Sequence, residues 1–147
     1  MPNPVLKSRR RRAACATVAL LAALPALTLL KPAAGETPGA QVAPVGSHDL
    51  GDVPGKKLTA VVVTYPPGGN SPAHHHAGSV FAFVLSGEIR SQVSADGPVK
   101  VYKAGESFFE PPGSQHLVSA NASATEAASL LAVIVAEDGA TLTTFDE

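Results

Sequence analysis

The stretch GGNSPAHHHAGSVFAFVLSG, residues 68–87, sets three consecutive histidines in a turn rich in glycine and proline, directly before an apolar run. The chain has five histidines, and three of them, His74, His75 and His76, lie in this turn. The run that follows is rich in β-branched and aromatic residues, which predicts a strand. Because neutral imidazole is the commonest metal ligand in proteins, the stretch indicates a metal site beside that strand.

A second histidine segment, GESFFEPPGSQH, spans residues 105–116 and ends at His116. In an extended chain, residues i and i+2 point to the same side, so His74 and His76 can reach one ion while His75 points away from it. His116 follows a Pro-Pro-Gly turn and opens a further strand. We therefore predict a metal site made by His74, His76 and His116. The alternative is a group of surface histidines with incidental affinity for divalent ions.

The first 35 residues have the layout of an export signal, with a basic start, an apolar run over residues 13–30 and small residues before Glu36. The rival interpretation is an uncleaved membrane anchor, which Pro25 and the short apolar run disfavour. The sequence thus predicts an exported protein, periplasmic or extracellular, that touches a membrane only through an uncleaved N-terminal segment. The only cysteine, Cys15, lies in this segment, so the remainder has no disulfide or thiolate chemistry.

Cleavage would change the charge of the protein. It removes six of the 11 basic residues and none of the 12 acidic ones, which leaves five basic residues and a net charge of −7. A domain this acidic lacks the basic surface that nucleic-acid binding requires. The expected partner is therefore a small-molecule substrate or ligand.

The remaining chain reads as an extended lead-in or linker over residues 36–55, followed by one domain over residues 56–147. Turn signals divide this domain into short β-branched or aromatic segments at residues 58–65, 80–86, 88–94, 99–103, 107–110, 116–121 and 129–136. Such spacing without a helical period predicts an all-β sandwich or small barrel. The segments LTAVVVTY (58–65) and SLLAVIVA (129–136) are apolar on both faces and should lie centrally. SLLAVIVA or the lead-in could also pair two copies into a homodimer.

Both histidine segments resemble the conserved motifs of the cupins. Gly68, His74, His76 and Gly87 match the first motif, while Gly105, Pro111, Gly113, His116 and Asn121 match the second. Asn121 falls one residue later than the usual spacing of that family. The resemblance implies a double-stranded β-helix, the jelly-roll cupin barrel, whose histidines meet inside it at one metal ion.

One departure from the family pattern concerns a carboxylate. Many cupins carry a glutamate four residues after the second histidine, where this chain has Val80. The site then resembles the three-histidine cupins, which include iron-dependent dioxygenases that cleave carbon–carbon bonds and oxidise thiols. Glu110 is the candidate catalytic residue, with three alternatives: a fourth ligand, a group that orients an imidazole or a metal-bound water, or a solvent-facing side chain.

These features favour a metal-dependent oxidoreductase of the dioxygenase type that acts on a small molecule. The expected cofactor is one divalent transition metal ion, with Fe(II) favoured and Mn, Zn, Ni or Cu also compatible with three imidazoles. One alternative is a periplasmic cupin that binds a metal or small ligand without turnover. The other is a metal-dependent isomerase or lyase with Glu110 as the base. Tyr65 and Tyr102 are candidates to donate a hydrogen bond to the substrate.

Overall fold

A computed structural model of the protein describes residues 39–146. The predicted export signal, residues 1–35 with Cys15, lies outside the described residues, so export stays a prediction. The described residues belong to one compact unit. Within them, the structure has no helix that is long and apolar enough to cross a membrane.

Residues 39–146 form eleven strands: β1 (Gln41–Asp49), β2 (Lys56–Tyr65), β3 (Asn70–Ser71), β4 (His74–His76), β5 (Ser79–Ser86), β6 (Glu88–Val93), β7 (Lys100–Lys103), β8 (Ser107–Glu110), β9 (Gln115–Asn121), β10 (Ala128–Glu137) and β11 (Thr143–Phe145). All strand pairs are antiparallel. The strands make two sheets, ordered β1-β2-β10-β5-β8 and β11-β4-β9-β6-β7, with β3 also pairing with β9. The all-β, double-stranded β-helix fold predicted from the sequence is confirmed.

The core contains side chains from both sheets. Val80 and Val84 of β5 and Ile134 of β10 are buried together with Ile89 and Val93 of β6. Strand β6 alternates as its sequence predicts, since its odd-numbered residues are buried and Glu88 and Arg90 are exposed. The described residues include no cysteine, so no disulfide contributes to their stability. Burial of the apolar side chains between the sheets therefore supplies the main stabilisation.

The two apolar segments lie at the centre of the first sheet, as expected. Strand β10 hydrogen-bonds to β2 on one side and to β5 on the other, and β2 lies between β1 and β10. Strand β10 has no free edge, so SLLAVIVA cannot pair two copies by strand addition, and the homodimer stays a prediction. The other segment considered for such pairing, the lead-in, contains β1, and β1 does lie at a sheet edge.

The stretch predicted as a lead-in contains β1, a nine-residue strand that pairs with β2 at eight of its residues. It is extended, but residues 41–49 are part of the sheet. Their sequence gave no strand signal because nearly every side chain on both faces of this edge strand is exposed, so no apolar alternation was needed.

Strand β9 contains an irregularity that explains the late asparagine of the second motif. Val118 pairs with Gln92 and His116 pairs with Val93, so Leu117 has no partner on β6 and forms a β-bulge. Because a bulge adds one residue to a strand, His116 and Asn121 both point to the buried side despite the extra residue between them. The Asn121 side-chain amide donates to the carbonyls of Pro66 and Glu126, at 3.0 and 2.7 Å, and so fastens two loops.

Gly78, between β4 and β5, is a position where a side chain cannot fit. A methyl group there would overlap the backbone carbonyl of Val135. We expect Gly78→Ala to lower the free energy of unfolding by about 3 kcal/mol, because a strand must shift to relieve the overlap. Urea unfolding measures this. Gly51→Ala is the matched control, since a methyl group there meets nothing within 4 Å; equal stability of the two variants would contradict the packing described.

Candidate metal centre

The three predicted ligands meet on the inner face of the second sheet. Strand β4 pairs with β9 so that His74 lies directly opposite His116. One nitrogen from each of His74, His76 and His116 lies within 4.8 Å of the others. The ring centroids of His76 and His116 are each 5.0 Å from that of His74. The structure thus brings together the three histidines that the sequence selects.

His75 points away from this group, as alternation along β4 requires. Its Nδ1 lies 2.9 Å from Oδ1 of Asp146, and its side chain is 44% exposed. The run of three histidines therefore offers two side chains to the centre and uses the third to hold the C-terminal end of the chain.

Backbone carbonyls orient the rings of the two β4 histidines. Nδ1 of His74 is 2.7 Å from the Pro72 carbonyl, and Nδ1 of His76 is 3.0 Å from the Leu142 carbonyl. A carbonyl only accepts, so each Nδ1 carries the proton and each Nε2 keeps a free lone pair. This second hydrogen bond is the arrangement that fixes the tautomer of metal-ligating histidines.

His116 has a different pair of neighbours. Its Nε2 lies 2.8 Å from the Ser91 hydroxyl, and its Nδ1 lies 3.3 Å from Oε1 of Glu110. The sequence analysis did not identify Ser91 as part of the site. The signal that could have found it is a serine on the buried face of β6, between Ile89 and Val93. Both the serine and the imidazole are 3% exposed.

Glu110 lies inside the centre. It is 3% exposed, and its Oε2 is 3.8 Å from Nε2 of His76. The solvent-facing alternative for Glu110 is therefore wrong. In the register of β5 and β8, Glu110 lies directly opposite Val80, the position at which the cupin pattern has its glutamate. Paired residues of antiparallel strands project from the same face, so the neighbouring strand brings a carboxylate to the side from which it is missing.

The donor set fits a divalent metal ion. Oε2 of Glu110 is buried without a hydrogen-bond partner in the described residues. Such an oxygen destabilises a protein by about 1–3 kcal/mol or more when nothing compensates its charge. A cation among three imidazoles and this carboxylate would compensate it, and the combination of nitrogen and oxygen donors suits first-row transition metals.

Burial lowers the pKa of His74 below its ordinary value. The nearby His116 and His76 lower this pKa further, whereas the hydrogen bond to the Pro72 carbonyl raises it. His74 is consequently neutral at neutral pH and ready to bind a cation. In the metal-free protein, we expect its NMR signals to titrate with a midpoint below the ordinary histidine value of about 6.5. A midpoint at or above that value would contradict the burial described.

The centre opens into a cavity of about 100 Å³ between the two sheets. The three histidines and Glu110 line it together with apolar side chains, which include Val61, Val63, Phe108, Leu130 and Ile134. Two phenylalanines of the described residues, Phe108 and Phe145, line the cavity. Phe81 is 46% exposed on the outer face of β5.

The C-terminal strand β11 forms the rim of the centre, which the sequence did not predict. It pairs with β4 so that Thr143 lies opposite His76 and Phe145 opposite His74. The Thr143 hydroxyl is 3.1 Å from Nδ1 of His76, and the Phe145 ring is 5.8 Å from that of His74. A segment of three residues without apolar alternation carries no strand signal of its own.

The sequence profile of the family described as "Cupin domain" matches residues 61–134, half of the chain. The chain belongs to the cupin domain family. A comparison with curated proteins finds no match.

Solved structures share the fold. A protein with a double-stranded β-helix domain from Klebsiella pneumoniae is 24% identical, with a TM-score of 0.56 over 80% of this chain and 90% of that chain. A DMSP lyase from Ruegeria pomeroyi is 25% identical, with a TM-score of 0.51 over 60% of this chain. An oxalate oxidase is 25% identical, with a TM-score of 0.54 over 73% of this chain. This chain spans only 42% of the lyase chain and 55% of the oxidase chain.

Proposed function

We propose that the protein is a metal-dependent oxidoreductase of the dioxygenase type, which holds one divalent ion with His74, His76, His116 and Glu110. The observation that carries this proposal is the buried carboxylate oxygen of Glu110, which has no hydrogen-bond partner among residues 39–146, beside three oriented imidazoles. The similarity to an oxalate oxidase supports an oxidoreductase. A bound redox-active ion, with Fe(II) favoured, would bind a substrate oxygen or sulfur and activate dioxygen.

Other groups of the protein orient the ligands, shield the centre and hold protons. The carbonyls of Pro72 and Leu142 hold His74 and His76 with their lone-pair nitrogens free. The wall of the cavity is mainly apolar, and exclusion of water by such a wall would strengthen electrostatic interactions at the centre. Glu110 lies within 3.3 Å of a His116 nitrogen, so it is placed to orient that ring and to accept a proton from a bound substrate.

Oxygen uptake by the iron-loaded full chain, purified without a histidine tag, tests the proposal. We expect uptake with one class among diketones, thiols, catechols and small carboxylates such as glycolate, the substrate analogue bound by the oxalate oxidase. Stoichiometric metal binding without oxygen uptake for any class would contradict oxidoreductase function and favour a non-catalytic binding protein.

A lyase is the second candidate, favoured by the similarity to the DMSP lyase and by a buried carboxylate that could act as a base. It needs no dioxygen, so the two candidates separate under anaerobic conditions. Consumption of DMSP by the metal-loaded protein without oxygen would support the lyase, and its absence would remove this candidate.

A further inference from the structure

A cluster of three hydroxyl groups lies in the wall of the same cavity. Oη of Tyr65 is 2.7 Å from Oγ of Ser119 and 3.3 Å from Oγ of Ser71. Tyr65 is 2% exposed and Ser119 3% exposed, and all three side chains line the cavity with the histidines and Glu110. Tyr102, the other tyrosine considered, does not line it and donates instead to Asp96 at 3.3 Å.

The sheet fixes the hydroxyl cluster close to the metal centre. Ser71 pairs with Ser119 between β3 and β9, as His74 pairs with His116 between β4 and β9. The two rungs are three residues apart along β9, which places their Cα atoms at most about 10 Å apart. The bulge at Leu117 turns both Ser119 and His116 to the buried side. One small molecule can therefore contact both groups.

A proton count shows what the hydroxyl cluster can bind. Three hydroxyl groups carry three protons, and the two contacts within the cluster use two of them. Residues 39–146 provide no acceptor for the third proton. Tyr65 and Ser119 are buried and Ser71 is half-buried, so the surplus O–H is a hydrogen-bond donor that an oxygen of a ligand in the cavity can accept from.

The other side chains that line the cavity restrict the kind of ligand that can bind there. No lysine or arginine of the described residues lines the cavity, so nothing there neutralises a second negative charge. Apolar side chains such as Val63, Leu130 and Ile134 fill the wall. A hydrogen-bonding group surrounded by an apolar wall selects a ligand that places one acceptor atom at that group and is otherwise apolar.

We propose that Tyr65, Ser71 and Ser119 form a specificity subsite for an uncharged carbonyl oxygen. The ligand is then a small, mainly hydrocarbon molecule with one end bound at the metal centre and a ketone-like oxygen at the hydroxyl cluster. This inference rests on the proposed metal centre, and it assigns to Tyr65 a role in ligand recognition.

Two hydroxamic acids that bind the metal test the subsite. Levulinohydroxamic acid carries a ketone where valerohydroxamic acid carries a methylene. Visible absorption of the cobalt(II)-loaded full chain measures both affinities. We expect the ketone probe to bind about fivefold more tightly, because one net hydrogen bond contributes about 1 kcal/mol. In Tyr65→Phe and Ser119→Ala the ratio of the two affinities should fall to about one, whereas the control Tyr102→Phe keeps it.

The outcomes separate the subsite from the metal centre. Equal affinities for both probes in the unmodified protein would overturn the subsite and leave the metal centre standing. A ketone preference that survives when Tyr65→Phe and Ser119→Ala are combined would also overturn it. If neither probe perturbs the cobalt spectrum, the proposed metal centre fails, and the subsite fails with it.

Discussion

Replacing His76 by alanine should lower the affinity for a divalent transition metal at least about a hundredfold. Loss of a group that merely orients a metal ligand costs 10–100-fold, so loss of a ligand should cost no less. His76 presents its Nε2 to the centre, 3.8 Å from Oε2 of Glu110. Competition titration with a chromogenic chelator, on protein without a histidine tag, measures the change.

His75→Ala is the matched control, because it removes an imidazole from the same three-residue strand. His75 contacts Asp146 and is directed away from the centre. Substitutions of exposed side chains usually change free energies by about 0.5 kcal/mol or less, so the metal affinity should change less than about threefold. Equal losses for the two variants would mean that the histidines bind ions as a surface group, and the centre described would be wrong.

The second large effect is expected at Glu110. Glu110→Gln keeps the size of the side chain and removes its charge, and it should weaken metal binding tenfold or more. The metal-free variant should unfold at no lower urea concentration than the parent protein, because the substitution removes a buried carboxylate with an unpaired oxygen. A purely structural Glu110 would give the reverse pattern, with lower stability and unchanged metal affinity.

The register of β5 and β8 allows a sharper test of the same residue. Val80 and Glu110 lie opposite each other and are both buried, so exchanging them moves the carboxylate to the adjacent strand on the same wall. We expect Glu110→Val alone to bind metal weakly and the exchange variant, Glu110→Val with Val80→Glu, to recover at least about tenfold in affinity. No recovery in a folded exchange variant would contradict the role of the carboxylate as a ligand.

The local pattern of the sequence was sufficient for most of the barrel. Strands such as β5 and β10 can be predicted from their β-branched and aromatic residues and from the turn residues that flank them. The choice of His74 and His76 over His75 also follows from alternation within one strand. Strands β1 and β11 were not predictable in this way, because pairing with distant parts of the chain holds them in place and few of their side chains are buried.

The carboxylate that the cupin pattern lacks in this chain shows most clearly what sequence spacing could not predict. A comparison along the chain finds Val80 where the family pattern has glutamate, and suggests a centre of three histidines alone. Glu110 is distant from Val80 in sequence and adjacent to it across two strands, a relation that depends on the register between β5 and β8. Ser91 and the Leu142 carbonyl orient their histidines through similar long-range contacts. Sequence spacing selected the ligands, but only the sheets reveal what surrounds them.

The central claim is that one divalent metal ion is bound by three imidazoles and the carboxylate of Glu110. Diffraction at the absorption edge of the metal, from crystals of metal-loaded protein purified without a histidine tag, tests it most directly. We predict one anomalous peak per chain in the cavity, about 2.0–2.2 Å from a nitrogen of His74, His76 and His116 and from an oxygen of Glu110. A loaded protein with no peak there, or with its ion held by other residues, would contradict the account.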